Sequence, residues 1–517
     1  MKKSMKFVGL LTTALVAPAL FASAASAQSR EYLAKATTSQ IAELKGQTSA
    51  RTVSGTLDRV KMWNEVMLQA NLVDHSTGAG QLGPTRNSRA FAIVSIAVFD
   101  AVNAFGNKFR SYNPVPRALA GASRDAAITE AAYRTLIALH PAQATTLTGI
   151  YSSDLSQINA SASAIAAGRA IGAESARQML ARRSNDGSQH TEPRFGDGAA
   201  AGDAGGVLAG GSTVGFLGKV NAGNTVAPNF TQATGSGVLG ARWGNVTPFV
   251  LSRGDQFRIP VFPAPNTARF RAGFVEVTGR GADFGVPGST HTARDSFIGN
   301  FWGYDGQPLL GTPPRLYNQV AVSIAEDQGL TSVNEFARLL AILNTTMGDS
   351  GIAAWDSKWF YNYWRPNTGV VRGGEAGDAT IPNRPNYRVF GISLLNNLNF
   401  VGLPRAQQSV TPGFPAYPSG HATFGAALFG SLRAYFPNNT RFTFVSDEYN
   451  GTGTEVKAGE PVRAFVPVRY RSFQEAQEEN GDSRIANGVH WEWDDTDGQN
   501  LGTNIVRFTL ANAFQRR

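Results

Sequence analysis

Three short segments in the C-terminal half of the chain carry side chains that can bind a small anion. The first segment, Lys358–Pro366, places Lys358 and Arg365 seven residues apart. On a continuous α-helix this spacing returns two turns later to almost the same face, and Pro366 favours a helix end just there. Two long cations on one face can converge on an anion beside the helix. A lone pair at this spacing is more often a solvated helix face.

The second segment, Phe414–His421, precedes a stretch with helical spacing over residues 422–435. Ser419 stands where a helix N-cap belongs, and the first N–H groups of a helix have no partner within it. A hydroxyl, free backbone N–H groups and the His421 imidazole therefore meet at one point, which suits an anion. Gly420 allows that anion to approach the main chain closely. The alternative is an ordinary capped helix with a surface histidine.

The third segment, Ser483–Asp494, is predicted to be a helix. His490 and Asp494 are four residues apart, so the carboxylate can hold one imidazole nitrogen and leave the other free as a ligand or nucleophile. Arg484 precedes His490 by six residues, about 120° around an ideal helix. That spacing does not place both residues in one site, so a long arginine reach or a loosening at Gly488 must bring them together. Alone, this pattern also fits a structural histidine.

The three segments together supply three cations, a helix N-terminus and two histidines. Such a set describes a pocket for a tetrahedral oxyanion, with one histidine placed to bind its central atom.

Composition narrows the class of protein. The chain has 517 residues, 42% of them apolar and 16% charged, which is typical of a large globular enzyme with a substantial core. It contains no cysteine. Disulfides, thiolate zinc sites, iron–sulfur clusters and thiolate-ligated haem are therefore excluded.

The first 27 residues resemble a cleavable signal peptide. They combine three lysines, an apolar run and the A-x-A sequence at Ala25–Ala27. We expect cleavage after Ala27 and a secreted or periplasmic protein; a membrane anchor is the alternative, but the run is short and contains Pro18. Without these three lysines, 44 basic residues face 38 acidic ones. With no basic run, we expect no nucleic-acid partner. We also expect no membrane span in the mature protein.

Apolar periodicity predicts a mainly α fold of two four-helix-bundle-like halves, with long loops and a few short strands. We expect residues 28–300 to form an N-terminal helical half with a Gly-rich insert at about 195–240, and residues 301–517 to form the half that carries the site. Residues 241–312 are expected to be loops with a short hairpin. Helices are predicted over residues 56–71, 88–105, 124–139, 156–182, 314–329, 332–365, 419–435 and 483–494.

The three motifs, K-x6-RP, PSGH and SR-x5-H-x3-D, resemble the signature shared by vanadium haloperoxidases and the type 2 phosphatidic acid phosphatase superfamily. Phe301–Gly306, Gly311–Arg315 and Phe336–Leu340 are similar to the stretch that precedes the first motif in fungal vanadium chloroperoxidases. The likeness covers roughly residues 297–500.

The resemblance implies a vanadate cofactor with His490 as the single protein ligand to vanadium. It implies that His421 is an acid–base group beside the cofactor and that Asp494 orients His490. It also implies that the cofactor oxygens are held by Lys358, Arg365, Arg484, Ser419 and the Gly420 N–H. Phosphate or sulfate is expected to be able to occupy the same pocket.

The implied activity is oxidation of halide by hydrogen peroxide to hypohalous acid, with a small organic molecule as a further acceptor. By resemblance, Asp305 pairs with Arg484, and Trp355 and Phe414 form an apolar wall for halide. Phe414 stands where algal bromoperoxidases commonly have histidine, which favours chloride as well as bromide. No oligomeric state is predicted.

Two other functions fit the same groups. A secreted acid phosphatase would use His490 as nucleophile and His421 to protonate the leaving group; the stretch from Phe301 to Leu340 and the apolar pair Trp355 and Phe414 argue against it. A non-catalytic oxyanion-binding protein is the second alternative, and it does not need an acid–base histidine.

Overall fold

The computed structural model describes residues 53–78, 80–190, 239–373, 378–394, 411–452 and 463–517. The predicted signal peptide and nearly all of the Gly-rich insert lie outside these residues. The helices are Thr56–Thr77 (α1), Gly83–Gly106 (α2), Arg124–Leu139 (α3), Ala144–Ser156 (α4), Ala162–Arg183 (α5), Ala268–Arg280 (α6), Ala293–Phe301 (α7), Pro313–Asp327 (α8), Val333–Tyr361 (α9), Pro366–Arg372 (α10), Gly420–Arg433 (α11), Phe473–Ala486 (α12) and Glu492–Asn512 (α13).

The strands of the described residues are short. Phe442–Phe444 (β1) pairs antiparallel with Val468–Tyr470 (β2), and Thr443 lies opposite Arg469. The predicted mainly α fold with few short strands is therefore confirmed.

Helix α9 is the central element. It packs along α2 on one side and against α11 and α13 on the other. Its side chains are buried almost without interruption from Phe336 to Trp359. In the N-terminal half, α3 packs closely on α5 at Gly172, which has no side chain. A Cβ at this position would lie only 2.3 Å from the Ala127 carbonyl oxygen. The division of the chain at residue 300 stays a prediction.

The prediction of loops over residues 241–312 was wrong, because α6 and α7 lie there. Thr267 caps α6 by accepting a hydrogen bond from the Phe270 amide, and Thr292 and Asp295 form a capping box for α7. Phe270, Phe274 and Val277 are buried at helical spacing, but the surrounding Pro and Gly residues masked that signal.

Helix boundaries also differ from the predictions. The predicted helix 156–182 begins at Ala162, after the separate helix α4. The predicted helix 332–365 ends at Tyr361, because Asn362 adopts a left-handed conformation (φ 46°) and its N–H caps the Lys358 carbonyl. The predicted helix 483–494 is two helices, α12 and α13, with a break between them.

Of the described helices, one is long and apolar enough to cross a membrane. It is α2, and 89% of its most apolar window is buried inside the protein. Such burial is typical of a helix in the core of a folded domain.

Candidate active site

The second motif forms the N-terminus of α11, as its sequence predicts. The Ser419 hydroxyl accepts a hydrogen bond from the Ala422 amide, while its own amide donates to the Asp494 carbonyl at 2.8 Å. This second bond joins the start of α11 to the start of α13. Ser419, Gly420 and His421 are all buried. The positive end of α11 therefore points into the protein interior, where an anion interacts strongly with it.

Lys358 reaches the second motif from the last turn of α9. The side chain is fully buried, and its Nζ donates hydrogen bonds to three backbone carbonyls, of Pro415 (3.0 Å), Ala416 (2.8 Å) and Pro418. These bonds place the ammonium group directly before the start of α11.

Arg365 lies in the site, but not by the predicted route. It is the N-cap residue of α10, and Pro366 begins that helix rather than ending α9. Its guanidinium group donates to the Phe414 carbonyl (3.0 Å) and the Val489 carbonyl (2.7 Å), and its Nη1 lies 3.1 Å from Nε2 of His490. Arg365 therefore joins all three motifs, although a left-handed residue separates it from the helix of Lys358.

His490 and Asp494 form a hydrogen-bonded pair across a helix start. His490 lies in the connection before α13, and Asp494 is the third residue of that helix. Nδ1 of His490 donates to Oδ2 of Asp494 at 2.8 Å, which leaves the lone pair of Nε2 facing Arg365. The prediction that both residues share one continuous helix was wrong, although the pairing itself is present in the structure.

Arg484 enters the site because α12 ends before His490. Gly488 has φ 69°, and the amides of Val489 and His490 turn back to the Arg484 carbonyl. Arg484 Nη2 donates to Asp305 at 2.7 Å, and both side chains are buried. The turn at Gly488 thus brings His490 to the arginine that precedes it by six residues.

His421 is held by the loop that follows α7. Its Nε2 donates to the Gly303 carbonyl at 2.7 Å and lies 3.8 Å from Asp305. The intervening Tyr304 has φ 42°, which is uncommon for a bulky residue. Its hydroxyl donates to Gln319 (2.8 Å) and accepts from the Asp447 amide (2.8 Å).

Tyr304 was not among the predicted site residues. It lies within the motif Phe301–Gly306, but its sequence neighbours do not reveal its backbone conformation. Its position between the two residues that hold His421 and Arg484 could be found only in the structure.

Burial and positive charge lower the pKa values of the basic side chains of the site. Burial, followed by the charges of Arg484 and Arg365, holds the pKa of His421 well below its usual value of 6.5. Burial and the charge of Arg365 do the same for the pKa of His490. Burial also holds the pKa of Lys358 well below its ordinary value. Both imidazoles are therefore neutral at neutral pH, and added negative charge would be stabilised here.

The site offers hydrogen-bond donors that the described residues do not satisfy. Nη2 of Arg365 and Nε of Arg484 are buried and have no partner among these residues. Buried unpaired donors are costly, so both atoms suit an oxyanion between the two guanidinium groups. Among the described residues, no three His, Asp or Glu side chains form a conventional metal site. The residues present therefore fit an oxyanion such as vanadate, held by donors and a single imidazole lone pair.

An apolar wall borders the cations. The rings of Trp355 and Phe414 lie 4.9 Å apart between centroids. Lys358 Nζ is 5.4 Å from the Trp355 ring and 5.3 Å from the Phe414 ring, and the Arg365 guanidinium is 5.0 Å from the Phe414 ring. A weakly hydrated monovalent anion suits this combination of aromatic edges and nearby positive charge.

The chain resembles known proteins in sequence and in fold. The family model described as VCPO second helical-bundle domain matches residues 338–516. The vanadium chloroperoxidase of Curvularia inaequalis is 35% identical over 231 residues, which are 38% of this chain and 35% of that protein. The match thus spans about a third of the relative's length.

Two bacterial crystal structures share the fold over most of the chain. A vanadium-dependent iodoperoxidase has a TM-score of 0.61 at 18% identity, covering 90% of this chain and 99% of that one. A holo vanadium-dependent chloroperoxidase has a TM-score of 0.57 at 16% identity, covering 83% and 92%. At these identities the likeness establishes the fold.

Proposed function

We propose that this chain, whose residues 338–516 match the VCPO second helical-bundle domain, is a vanadate-dependent haloperoxidase. It would oxidise halide with hydrogen peroxide, consuming one proton and releasing hypohalous acid and water. The observation that carries the proposal is the convergence of His421, His490 and two arginines with unpartnered donors on one buried point.

Each residue has a task that follows from its contacts. His490, with its Nδ1 proton held by Asp494, presents the Nε2 lone pair and is the residue that would bind vanadium. Lys358, Arg365 and Arg484 would neutralise the cofactor oxygens, with the Ser419 hydroxyl and the Gly420 N–H as further donors. Vanadate bound here would supply a Lewis acid that activates peroxide without changing its own oxidation state.

His421 is the residue that would move protons. Its Nε2–H is committed to the Gly303 carbonyl, so the Nδ1 lone pair is the available base. As a neutral imidazole it can accept a proton from hydrogen peroxide and return it to the departing oxygen. The electron pair comes from the halide, and the O–O bond of peroxide breaks. The wall of Trp355 and Phe414 would hold that halide, and the resemblance to chloroperoxidases at Phe414 favours chloride as well as bromide.

The acid phosphatase remains the nearest alternative, because a histidine nucleophile and an acid–base histidine would serve it equally well. Hydrolysis of a phosphate ester, however, does not require the aromatic wall beside Lys358. An oxyanion-binding protein without catalysis would need neither the wall nor a positioned base.

The test is an assay of vanadate-free protein with peroxide and either bromide or chloride, before and after vanadate is added. We expect halogenation of an added phenol only after vanadate, and no such restoration in His490→Ala. Circular dichroism of that variant checks that it folds. Full activity in His490→Ala would contradict the assigned ligand. Phosphate-ester hydrolysis without halide oxidation would favour the phosphatase, and vanadate binding without either reaction would favour a binding protein.

Two further points belong to the proposal. Phosphate and sulfate, as tetrahedral oxyanions, would compete with vanadate for the same donors, so phosphate should slow reactivation. The N-terminal sequence Met1–Ala27 would direct export, so N-terminal sequencing of the exported protein should begin at Gln28.

A further inference from the structure

The chain at Leu239 and Gly240 lies directly against the indole of Trp355. Nε1 of Trp355 donates a hydrogen bond to the Leu239 carbonyl at 3.1 Å. Gly240 has φ 75°, and a Cβ at this position would lie 2.2 Å from Cδ1 and 2.5 Å from Nε1 of the indole. No residue with a side chain fits here unless the indole moves.

The opposite edge of the same indole faces the proposed cofactor site. A Cβ on Gly420 would lie 3.3 Å from Cζ3 and Cη2 of Trp355, and the Phe414 ring is also adjacent. The indole therefore lies between Gly240 at one edge and Gly420 at the other, with the Phe414 ring also against it. A larger residue at position 240 would therefore displace the indole towards the space beside Lys358.

The segment that holds Trp355 is itself anchored to the helical core. The Leu239 side chain occupies the space where Gly83 of α2 would carry a Cβ, at 2.8 Å. The Trp243 amide donates to the Gly240 carbonyl at 3.0 Å, which closes a turn within the segment itself. Gly244 approaches α9 so closely that its Cβ would lie 2.7 Å from Cα of Asp356. A backbone held against α2 and α9 in this way cannot readily retreat from the indole.

We infer that Gly240 is a specificity-determining residue, which sets the depth of Trp355 and thereby the size of halide that the wall accepts. The inference rests on the proposed function and deepens it. It assigns selectivity to the end of the Gly-rich insert, in the N-terminal half, and not to the three motifs alone.

Gly240→Ala tests the inference by moving the indole towards the halide. The narrowed space should weaken the binding of the largest halide most. We therefore expect the KM for iodide to rise about tenfold, which is the usual effect of one carbon atom in a closely fitted pocket. The rise should be smaller for bromide and least for chloride, and kcat for chloride should change little.

Gly121→Ala is the matched control. Gly121 has φ 81°, and no atom of the described residues lies within 4 Å of the position that its Cβ would take. This variant therefore shares the backbone strain without touching Trp355. The ratios of its KM values for iodide, bromide and chloride should equal those of the wild type. Equal ratios in Gly240→Ala and Gly121→Ala would overturn the inference.

A readout without the cofactor separates this inference from the proposed function. Iodide quenching of Trp355 fluorescence, taken as the difference from Trp355→Phe, should weaken in vanadate-free Gly240→Ala and stay unchanged in Gly121→Ala. Unchanged quenching in Gly240→Ala contradicts the inference even if the enzyme is active. A wild type that shows the quenching difference but no halide oxidation contradicts the proposed function alone.

A double variant covers the case in which Gly240→Ala folds poorly. Trp355→Phe replaces the indole by a smaller ring, so Gly240→Ala/Trp355→Phe should fold and accept iodide at least as well as bromide. A double variant as poorly folded as Gly240→Ala would show that the glycine serves the backbone and not the wall.

Discussion

Oδ2 of Asp494 accepts two hydrogen bonds, one from Nδ1 of His490 at 2.8 Å and one from the Trp491 amide at 3.1 Å. The same carboxylate oxygen therefore caps the start of α13 and fixes the tautomer of the imidazole that precedes it. The helix start and the proposed ligand are thus held by one atom.

Replacing Asp494 by Asn should weaken vanadate binding about 10- to 100-fold, the usual effect of removing a carboxylate behind a metal-bound histidine. The amide can keep one acceptor bond but loses the charge that raises the basicity of His490. Titration of vanadate-free protein with vanadate measures the change. Asp495→Asn is the control, since its carboxylate bonds only Gln499 among the described residues. Equal losses in both variants would contradict the role of Asp494.

Stability should fall in acid because of His421. The folded protein keeps this imidazole neutral, whereas in the unfolded chain it takes up a proton below about 6.5. Between its lowered folded pKa and 6.5, the unfolded state therefore binds more protons, and the free energy of unfolding decreases as pH falls.

The stability advantage of the wild type over His421→Gln should accordingly shrink from pH 7.5 to pH 5.5, by up to about 1.4 kcal/mol per pH unit below 6.5. Urea unfolding of the vanadate-free proteins measures it. A difference that stays constant or grows in acid would show that His421 is protonated in the folded state.

Arg365→Lys should lose most of the oxyanion-dependent stabilisation. Vanadate at a hundred times the wild-type Kd raises the free energy of unfolding by about 2.7 kcal/mol. A lysine keeps the charge but not the planar fork that reaches Phe414, Val489 and the anion together. With about a hundredfold weaker binding, the gain falls to about 0.4 kcal/mol. Arg177→Lys, on the exposed face of α5, should keep the full gain in the same unfolding assay. If vanadate stabilised Arg365→Lys as much as the wild type, Arg365 would not be part of the anion site.

Tyr304→Phe should lower both stability and kcat. Loss of the hydroxyl leaves the Asp447 amide and the Gln319 oxygen without this partner, at a cost of about 1–3 kcal/mol. The loop that presents Gly303 to His421 then loosens, so kcat should fall more than KM rises. Tyr133→Phe serves as control, because the Tyr133 hydroxyl bonds only at the surface, to Thr148. A loss of stability with unchanged kcat would show that Tyr304 has only a structural role.

Local patterns account for much of the fold and of the site. The cap at Ser419 follows from a hydroxyl that stands directly before an apolar helical run, and the mainly α class follows from apolar periodicity. Helix breaks were harder to predict. Asparagine often ends a helix in the left-handed conformation, but the spacing of Lys358 and Arg365 favoured a helix that continues past Asn362. Gly488 was a candidate break, but its turn is fixed by a distant segment, because its Cβ would lie 2.1 Å from the Gly281 carbonyl oxygen.

The sequence by itself determined which groups are available: three cations, two imidazoles, a helix start and the four-residue spacing of His490 and Asp494. Only the tertiary structure decided how they meet. Arg365 arrives from the start of a second helix, Arg484 from before a turn, and Gly240 from the other half of the chain. The physical reason is that helix periodicity and capping depend on neighbours within a few residues, whereas breaks, left-handed turns and close backbone approaches depend on what packs against them from far along the chain.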